Sequence, residues 1–579
     1  MSKILRINMS DQSVKFEEVP EKYKYLGGRG LTSTMTFDEV PPTCHPLGPN
    51  NKIFIAPGIV SGTSAPSSGR ISFGGKSPLT GTIKEANAGG LASQKIARLG
   101  IKAIVIEGQA PAGKFYLIEL NKDGVKFLPA DDLVGKGMYE VDRILWERYP
   151  SKPAIIGIGP VGEMRLLNSG ISVNDMENGP GRYAGRGGLG AVLGSKGLKA
   201  MVVDDKGGPG VEIADKEAFR RETKKLTDAL ASHPVTSQAL PSYGTAVLIN
   251  ILNEAGGLPT RNFSAGRFEG AAKVSGEMIN EVVTKIRAGG AGMVGHACHP
   301  GCVIKCSNIF PKPDGSAHVS CVEYESAWAL GPDCGIDDLD AIAELVRICN
   351  DLGMDTIEAG VTIGVAMEGG LLKFGDSQGA IALLNEVGKG TPLGRIIGSG
   401  AAFTGKALGV TRVPTVKGQA MPAYEPRAVK GIGTTYATST QGADHTIGYT
   451  ICPEILGVGG KVDPLAATKA ELSRSFQATT AFVDTSGYCL FIAFAILDIP
   501  SGLEGAIGSV NAVLGTNWTV EDVGKIGISI LKTERKFNEL AGFTKADDRV
   551  PEFMKIEKLP PHNNVFDVTD EELDAVHAY

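Results

Sequence analysis

Three cysteines stand at intervals of four in ACHPGCVIKC: Cys298, Cys302 and Cys306. Three is an awkward number of thiols, because disulfides use them in pairs and a tetrahedral metal site takes four ligands. A helix with one thiol per turn facing a core is one reading, since free cysteine is among the most buried residue types. Pro300 and Gly301, with AGGAGMVGHA just upstream, fit a regular helix poorly. Zinc sites commonly use two C-x2–4-C pairs, and this chain has no second pair. Three clustered thiolates plus a remote one suit a 4Fe–4S cluster. Cys489 is a remote candidate, in a polar, glycine-containing break of the apolar run FVDTSGYCLF. The metal ligands read from the residues are therefore Cys298, Cys302, Cys306 and Cys489, with buried thiols or zinc as alternatives.

A second motif invites a different chemistry. IIGIGPVGE (155–163) matches G-x-G-x-x-G through Gly157, Gly159 and Gly162. A dinucleotide site needs a helix to start there, with its N-terminus facing the pyrophosphate. The following EMRLLNSGISV reads instead as a second strand, so a β-turn is expected.

The elements that must position these residues change character along the chain. The first part reads as β-rich: NKIFIAPG, IKAIVIEGQ, and KFYLIEL and VKFLPA around the turn NKDG at 121–124. KAMVVDDKGGPG ends a strand in a glycine-rich linker. The period then becomes helical, with Asp215 as N-cap and Phe219, Leu226 and Leu230 on one face. Residues 339–370 read as two helices joined at Leu352–Gly353–Met354. A softer boundary falls near 414–424, in VPTVKGQAMPAYEP. The expected architecture is α+β: a β-rich domain (1–206), then two largely helical domains (207–414 and 415–579).

Composition limits the rest. Of 579 residues 42% are hydrophobic and 21% charged, and the net charge is −6, which argues against a nucleic-acid surface. No stretch of 18 apolar residues predicts a membrane span. The N-terminus lacks the apolar core of a signal peptide. With nine unevenly spaced cysteines, this points to a reducing cytoplasm and to metal or redox use. The 77 glycines, nearly twice the usual ~7%, imply tight turns or backbone lying against a large ligand.

Asp484, Gly487, Tyr488 and Cys489 form D-x-x-G-Y-C, which resembles the pterin-binding D-x-x-G-L-C signature of the tungsten aldehyde:ferredoxin oxidoreductase family. In the same order, SSGRISFGGKSPLTGTIKEANAGG (67–90), GRYAGRGGLGAVLGSKGLKA (181–200), VEYESAWALGPDCGIDDL (322–339), NDLGMD (350–355), PAYEPR (422–427) and YATSTQGADHTIGYTICPEILG (436–457) are similar to that family's segments. The resemblance spans essentially the whole chain. It implies a tungsten bis-pterin cofactor between the β-rich base and the helical domains, with molybdenum an open alternative.

Such a cofactor carries two phosphates and a bridging Mg²⁺. Gly89 and Gly185 would let backbone N–H groups approach the phosphates, and Arg70, Arg182 and Arg186 would clamp them bidentately. The resemblance places the carbonyls of Asn87 and Tyr183 on the Mg²⁺. Asp355, Asp484 and Tyr488 belong to the pterin-binding motifs, the carboxylates accepting from pterin N–H groups. Asn350 stands where the family usually has Asp, and brings an amide donor and no charge. Glu325 and His445 match the family's active-site pair, and aldehyde oxidation needs an acid/base pair that titrates near neutrality.

Other positions depart from the family. Many relatives space their first cysteines C-x2-C-x3-C; here Gly295 stands at the first position and Cys306 becomes the third local ligand. Some relatives bind iron at a dimer interface through E-x-x-H, whereas here Glu344 is followed by Arg347. Cys334 is read as a packed thiol. The resulting expectation is a cytoplasmic tungsten enzyme that oxidises small aldehydes to carboxylic acids. Electrons would pass through one 4Fe–4S cluster to ferredoxin or a small ferredoxin-like subunit. The docking face would be the loop 295–310, with His296, His299 and Lys305 supplying positive charge. The alternatives are a benzoyl-CoA-reductase-like catalytic subunit running a low-potential reduction, and a non-enzymatic iron–sulfur or zinc scaffold.

Overall fold

The computed structural model describes residues 2–579. Twelve short strands in the N-terminal region build two six-stranded sheets. The first contains β1 (Lys3–Asn8), β2 (Val14–Glu18), β3 (Ile53–Pro57), β4 (Ile71–Lys76), β5 (Ile83–Ala88) and β6 (Ile101–Glu107), in the order β2-β1-β6-β3-β4-β5. Strands β3 and β4 are buried along their whole length; the apolar run of β3, IFIAP, is accordingly continuous rather than alternating. The second sheet contains β7 (Tyr116–Asn121), β8 (Gly124–Pro129), β9 (Ala154–Gly157), β10 (Ile171–Val173), β11 (Arg182–Ala184) and β12 (Leu198–Val203), in the order β11-β10-β9-β12-β7-β8. The expected hairpin at NKDG is β7–β8, and Asn121 Oδ1 accepts from Asp123 N at 2.9 Å. Ile55, Ile104 and Phe73 share one core with Ile118, Ile156 and Met201 of the second sheet.

The G-x-G-x-x-G segment is not a dinucleotide fold. Strand β9 enters a single helical turn, Pro160–Glu163, and β10 returns antiparallel to β9. The strand expected over 163–173 is confined to Ile171–Val173, because Pro160 starts a helical turn. A Cβ on Gly159 would lie 2.2 Å from Leu352 O. That glycine serves the close approach of a helix end.

The helices follow their caps. Lys216–Ser232 starts at Asp215, whose side chain accepts from Glu217 N and Ala218 N, and it buries Phe219, Leu226 and Leu230. Leu339–Leu352 and Thr356–Glu368 are the expected pair, capped by Asp338 and Asp355 and separated at Gly353. Helix Ala470–Ser486 carries Asp484 in its last turn and stops at Gly487, whose φ of 90° strains any side chain. A Cβ there would also come 2.8 Å from Gly58 Cα. Gly487 thus lets the D-x-x-G-Y-C turn press against the chain leaving β3. A three-stranded sheet, β13 (Met293–His296), β14 (Ser307–Pro311) and β15 (Ala317–Ser320), carries the cysteine loop between its first two strands.

Among the described residues, no single helix is long and apolar enough to cross a membrane. The pair Ala470–Ser486 and Leu490–Asp498 passes that test only together, bent by 119°.

Candidate active site

A cavity of about 290 Å³ lies where the two N-terminal sheets, the cysteine loop and the ends of four helices meet. Its wall brings together Arg70, Asn87, Gly89, Arg182, Tyr183, Gly185, Arg186, Glu325, Asn350, Asp355, His445 and Asp484, with Cys298, Cys306 and Cys489. These residues span more than 400 positions of sequence. Tyr488 and Cys302 do not line it; the Tyr488 ring is buried and its hydroxyl bonds to Ser509 Oγ at 2.6 Å. The expected cofactor contact from Tyr488 is therefore corrected to a packing role that anchors the turn.

The four thiols converge. The Cys298 thiol donates toward Cys302, which raises the first and lowers the second. Cys302 also feels Cys306 and Cys489, and Cys306 feels Cys298 and Cys489. Burial pushes Cys306 well up and Cys489 up to about 11. Three of the four thiols are thus held against ionisation, and a bound cation reverses that. The backbone holds them in place: Gly90 N donates to Cys298 O at 2.9 Å, Cys489 N to Ser67 O at 2.9 Å, and Ser67 N to Gly301 O at 2.8 Å. A Cβ on Gly89 would meet Cys298 Sγ at 3.3 Å. His299 is a further nitrogen beside Cys298 and Cys302, with no protein partner for Nε2, and the sequence reading gave it no ligand role.

The arginines are less free than expected. Arg186 donates to Asp355 Oδ2 (3.0 Å), Ala443 O (2.9 Å) and Ala420 O (2.7 Å). Arg182 donates to Glu323 (3.1 Å) and Ser307 (2.7 Å), meets His296 Nδ1 at 3.1 Å, and keeps only Nε unpartnered. Neither offers a bidentate clamp here, a correction to the sequence reading. Arg70 donates through Nε to Asn87 Oδ1 (2.7 Å) and through one terminal nitrogen to Asn87 O (3.3 Å). Its other nitrogen lies toward Gly89. Asp355 caps its helix through Oδ1, taken by Ile357 N at 3.0 Å.

Opposite them lies an acidic patch. Asp484 and Glu85 are fully buried and both pushed up, first by burial and then by each other in the case of Asp484. Arg29 sits 3.5 Å from Asp484 and 2.8 Å from Glu534. Glu85 Oε1, Asn350 Nδ2 and Arg182 Nε are buried without partners on the protein. Buried polar atoms normally find partners, so these orphans at the wall fit a polar, heteroatom-rich group such as a pterin.

Glu325 lies in the first turn of the helix Tyr324–Ala329, and His445 opens a helical turn capped by Asp444. Glu325 Oε2 accepts from Ala423 N at 3.0 Å, and its Oε1 lies 3.3 Å from His445 Nε2. The angle there is poor for a hydrogen bond, and Glu325 Oε1 has no other partner. Burial pushes Glu325 up to about 8 and His445 down to about 4. His445 therefore does not titrate near neutrality, as the sequence reading expected; burial outweighs the pull of Asp444. Burial would raise Asp444 too, but Lys84, at 3.1 Å, and Arg186 hold it well below the carboxylate range. The sequence reading gave Lys84, Glu85, Asp444 and Arg29 no role, though the first three lie in quoted segments.

Other expectations fare unevenly. His296 and His299 are buried, and His296 Nε2 lies 2.5 Å from Glu177. Neither imidazole offers surface charge, which corrects the expected docking face; Lys305 and Val303 are exposed there. Cys334 is a packed thiol that donates to Ala329 O and Gly360 O. Arg347 donates to His318 O at 2.7 Å and stacks on Tyr139, while Glu344 lies 3.0 Å from His318.

Residues 4–205 match the sequence model described as the aldehyde ferredoxin oxidoreductase N-terminal domain, and residues 221–578 match its domains 2 and 3. The tungsten-containing aldehyde ferredoxin oxidoreductase of Pyrococcus furiosus is 36% identical, over 97% of this chain and 92% of that protein. The Thermococcus kodakarensis protein of the same name is 37% identical over the same shares. The aliphatic sulfonate oxidoreductase, WOR-like subunit, of P. furiosus is 26% identical over 96% of this chain and 90% of that one. Among solved structures, the active site complex BamBC of benzoyl coenzyme A reductase with 1,5 dienoyl-CoA superposes with a TM-score of 0.78. That likeness covers 99% of this chain and 93% of that one at 18% identity, and shows the fold alone.

Proposed function

The chain belongs to the aldehyde ferredoxin oxidoreductase family, and we propose that it is a tungsten enzyme oxidising aldehydes to carboxylic acids. One observation carries this reading. The Glu325–His445 pair lines the same cavity as Cys298, Cys306 and Cys489, with Cys302 beside Cys298, so acid–base and redox chemistry meet at one place.

The wall residues fit a bis-pterin group. Glu85 and Asp484 would accept from its N–H groups, and Asn350 would donate through Nδ2. Arg70, Arg182 Nε and the backbone at Gly89 and Gly185 would face its phosphates, with the Asn87 and Tyr183 carbonyls on Mg²⁺. When bound, the tungsten group takes the two electrons of the oxidation. The chain's own residues handle protons. Near pH 7 Glu325 is a carboxylic acid and His445 a neutral imidazole. Glu325 would donate to the aldehyde oxygen, and His445 Nε2 would take the proton of the attacking water. The overall balance is RCHO + H₂O → RCOO⁻ + 3H⁺ + 2e⁻.

Cys298, Cys302, Cys306 and Cys489 would hold one 4Fe–4S cluster, through which electrons leave singly. Cys302 Sγ accepts from Lys305 N at 3.4 Å, and Gly301, Val303 and Lys305 are exposed beside it. We place the docking of ferredoxin or a small iron–sulfur subunit there. A cytoplasmic setting fits nine free thiols. A division at about 206 and 414 fits the change from sheets to helices.

Anaerobic purification, tungsten and iron analysis, and an aldehyde panel with a viologen acceptor test this reading. Stoichiometric tungsten with carboxylate product supports it. A protein with neither tungsten nor molybdenum sinks it, and zinc on the thiols in place of iron sinks the cluster.

A further inference from the structure

Beside the Glu325–His445 pair the cavity wall turns from charged to aromatic. Phe491 joins Leu490, Ile447, Met354 and Ile357 in its apolar surface. The Tyr449 ring centroid lies 6.5 Å from that of Phe491 and 6.2 Å from that of His445. Tyr424 lies 6.0 Å from His445 and 5.7 Å from Tyr449. Phe494 stacks on Phe491 at 5.6 Å and 24°. The Tyr424 and Tyr449 hydroxyls bond each other at 2.7 Å, and neither residue is part of the cavity lining. Ring carbon therefore continues from the catalytic pair to Phe491, which is half-buried while Tyr449 and Phe494 are buried. Rings in such a layer gain from a further ring at 4.5–7 Å, an advantage of roughly three- to tenfold beyond area alone. A short, hydrated aldehyde gains nothing from it.

We propose that this wall is a ring-binding subsite that makes the enzyme favour aromatic aldehydes over short-chain ones, with Phe491 as its specificity-determining residue. The proposal rests on the aldehyde-oxidising reading. Glu325 and His445 hold the carbonyl end, and the substrate ring lies against Phe491, backed by Tyr449 and Phe494. The oxidation balances as given above, with an added viologen as oxidant.

The test uses the metal-loaded enzyme and Phe491→Leu, which keeps bulk and apolarity but removes the ring. The kcat/KM ratio of benzaldehyde to acetaldehyde is expected to fall roughly three- to tenfold in the variant. The change should sit in the benzaldehyde KM, with acetaldehyde turnover and iron and tungsten contents unchanged. An unchanged ratio overturns the subsite, as does an equal fall for both substrates. A second measurement needs neither variant nor turnover: benzoate should raise the thermal midpoint of the wild-type holoenzyme at concentrations where acetate does not. Equal effects of the two anions overturn the subsite. Benzoate-selective stabilisation without turnover of any aldehyde leaves the subsite standing and overturns the reaction.

Discussion

Glu325 Oε1 stands 3.3 Å from His445 Nε2, yet the two are not an ion pair at neutral pH. Burial raises the carboxyl to about 8 and lowers the imidazole to about 4. Each group is pushed toward its uncharged form, which leaves a proton donor and a proton acceptor facing one space.

The pH dependence follows from those directions. Below about 4 His445 is protonated and cannot accept, and above about 8 Glu325 is ionised and cannot donate. The kcat/KM profile should therefore be a broad bell whose limbs belong to the pair. A single limb near pH 6.5, the ordinary imidazole value, would count against His445 as a neutral base.

Glu325→Gln and His445→Asn should each lower turnover by roughly 10²-fold or more. Iron and tungsten contents should stay at the wild-type level, since neither residue is a thiol ligand. Full activity in either variant removes that residue from the mechanism.

Cys489→Ser and Cys302→Ser should each lose most of the iron and the iron–sulfur absorption, although the two residues lie 187 positions apart. His299→Gln should leave both signals in place. Iron retained in the cysteine variants but lost on changing His299 would reassign the fourth ligand.

Arg29 and Glu534 form a buried ion pair at 2.8 Å that ties the helix Gly28–Glu39 to Val520–Leu540. Burial opposes ionisation of Glu534, but Arg29 overcomes it and holds the carboxyl below its ordinary 4.5. Its folded value is depressed, so its stabilising contribution is complete above about 4.5 and is lost as pH falls through the folded value. Glu534→Gln should cost roughly 3–5 kcal/mol, because it strands a buried guanidinium. Replacing both residues by Met should cost less. Chemical denaturation distinguishes these cases, and an unshifted midpoint in Glu534→Gln would show that the pair is not holding the two helices together.

Lys305→Glu should slow turnover with ferredoxin more than with viologen, and the difference should shrink as salt rises. Equal slowing with both acceptors would place the electron exit elsewhere.

Much of this protein was legible from residue order because the signals are local. Asp215 and Gly353 mark helix ends, since capping involves the nearest turn alone. The NKDG hairpin and the three clustered thiols are likewise local, and the quoted segments placed most of the cavity wall. Tertiary structure decided what depends on distant groups. The sequence showed Arg182 and Arg186 as free cations, but folding brings Glu323 and Asp355 to them and occupies their donors. It showed Tyr488 beside a ligand thiol, but the turn at Gly487 sends the ring toward Ser509. It showed His296 and His299 as loop imidazoles, and packing against Glu177 and Gly69 buries them. Above all, side-chain type alone made His445 a residue titrating near neutrality. Its protonation is set by lost solvation, and the atoms that exclude water from it come from every part of the chain.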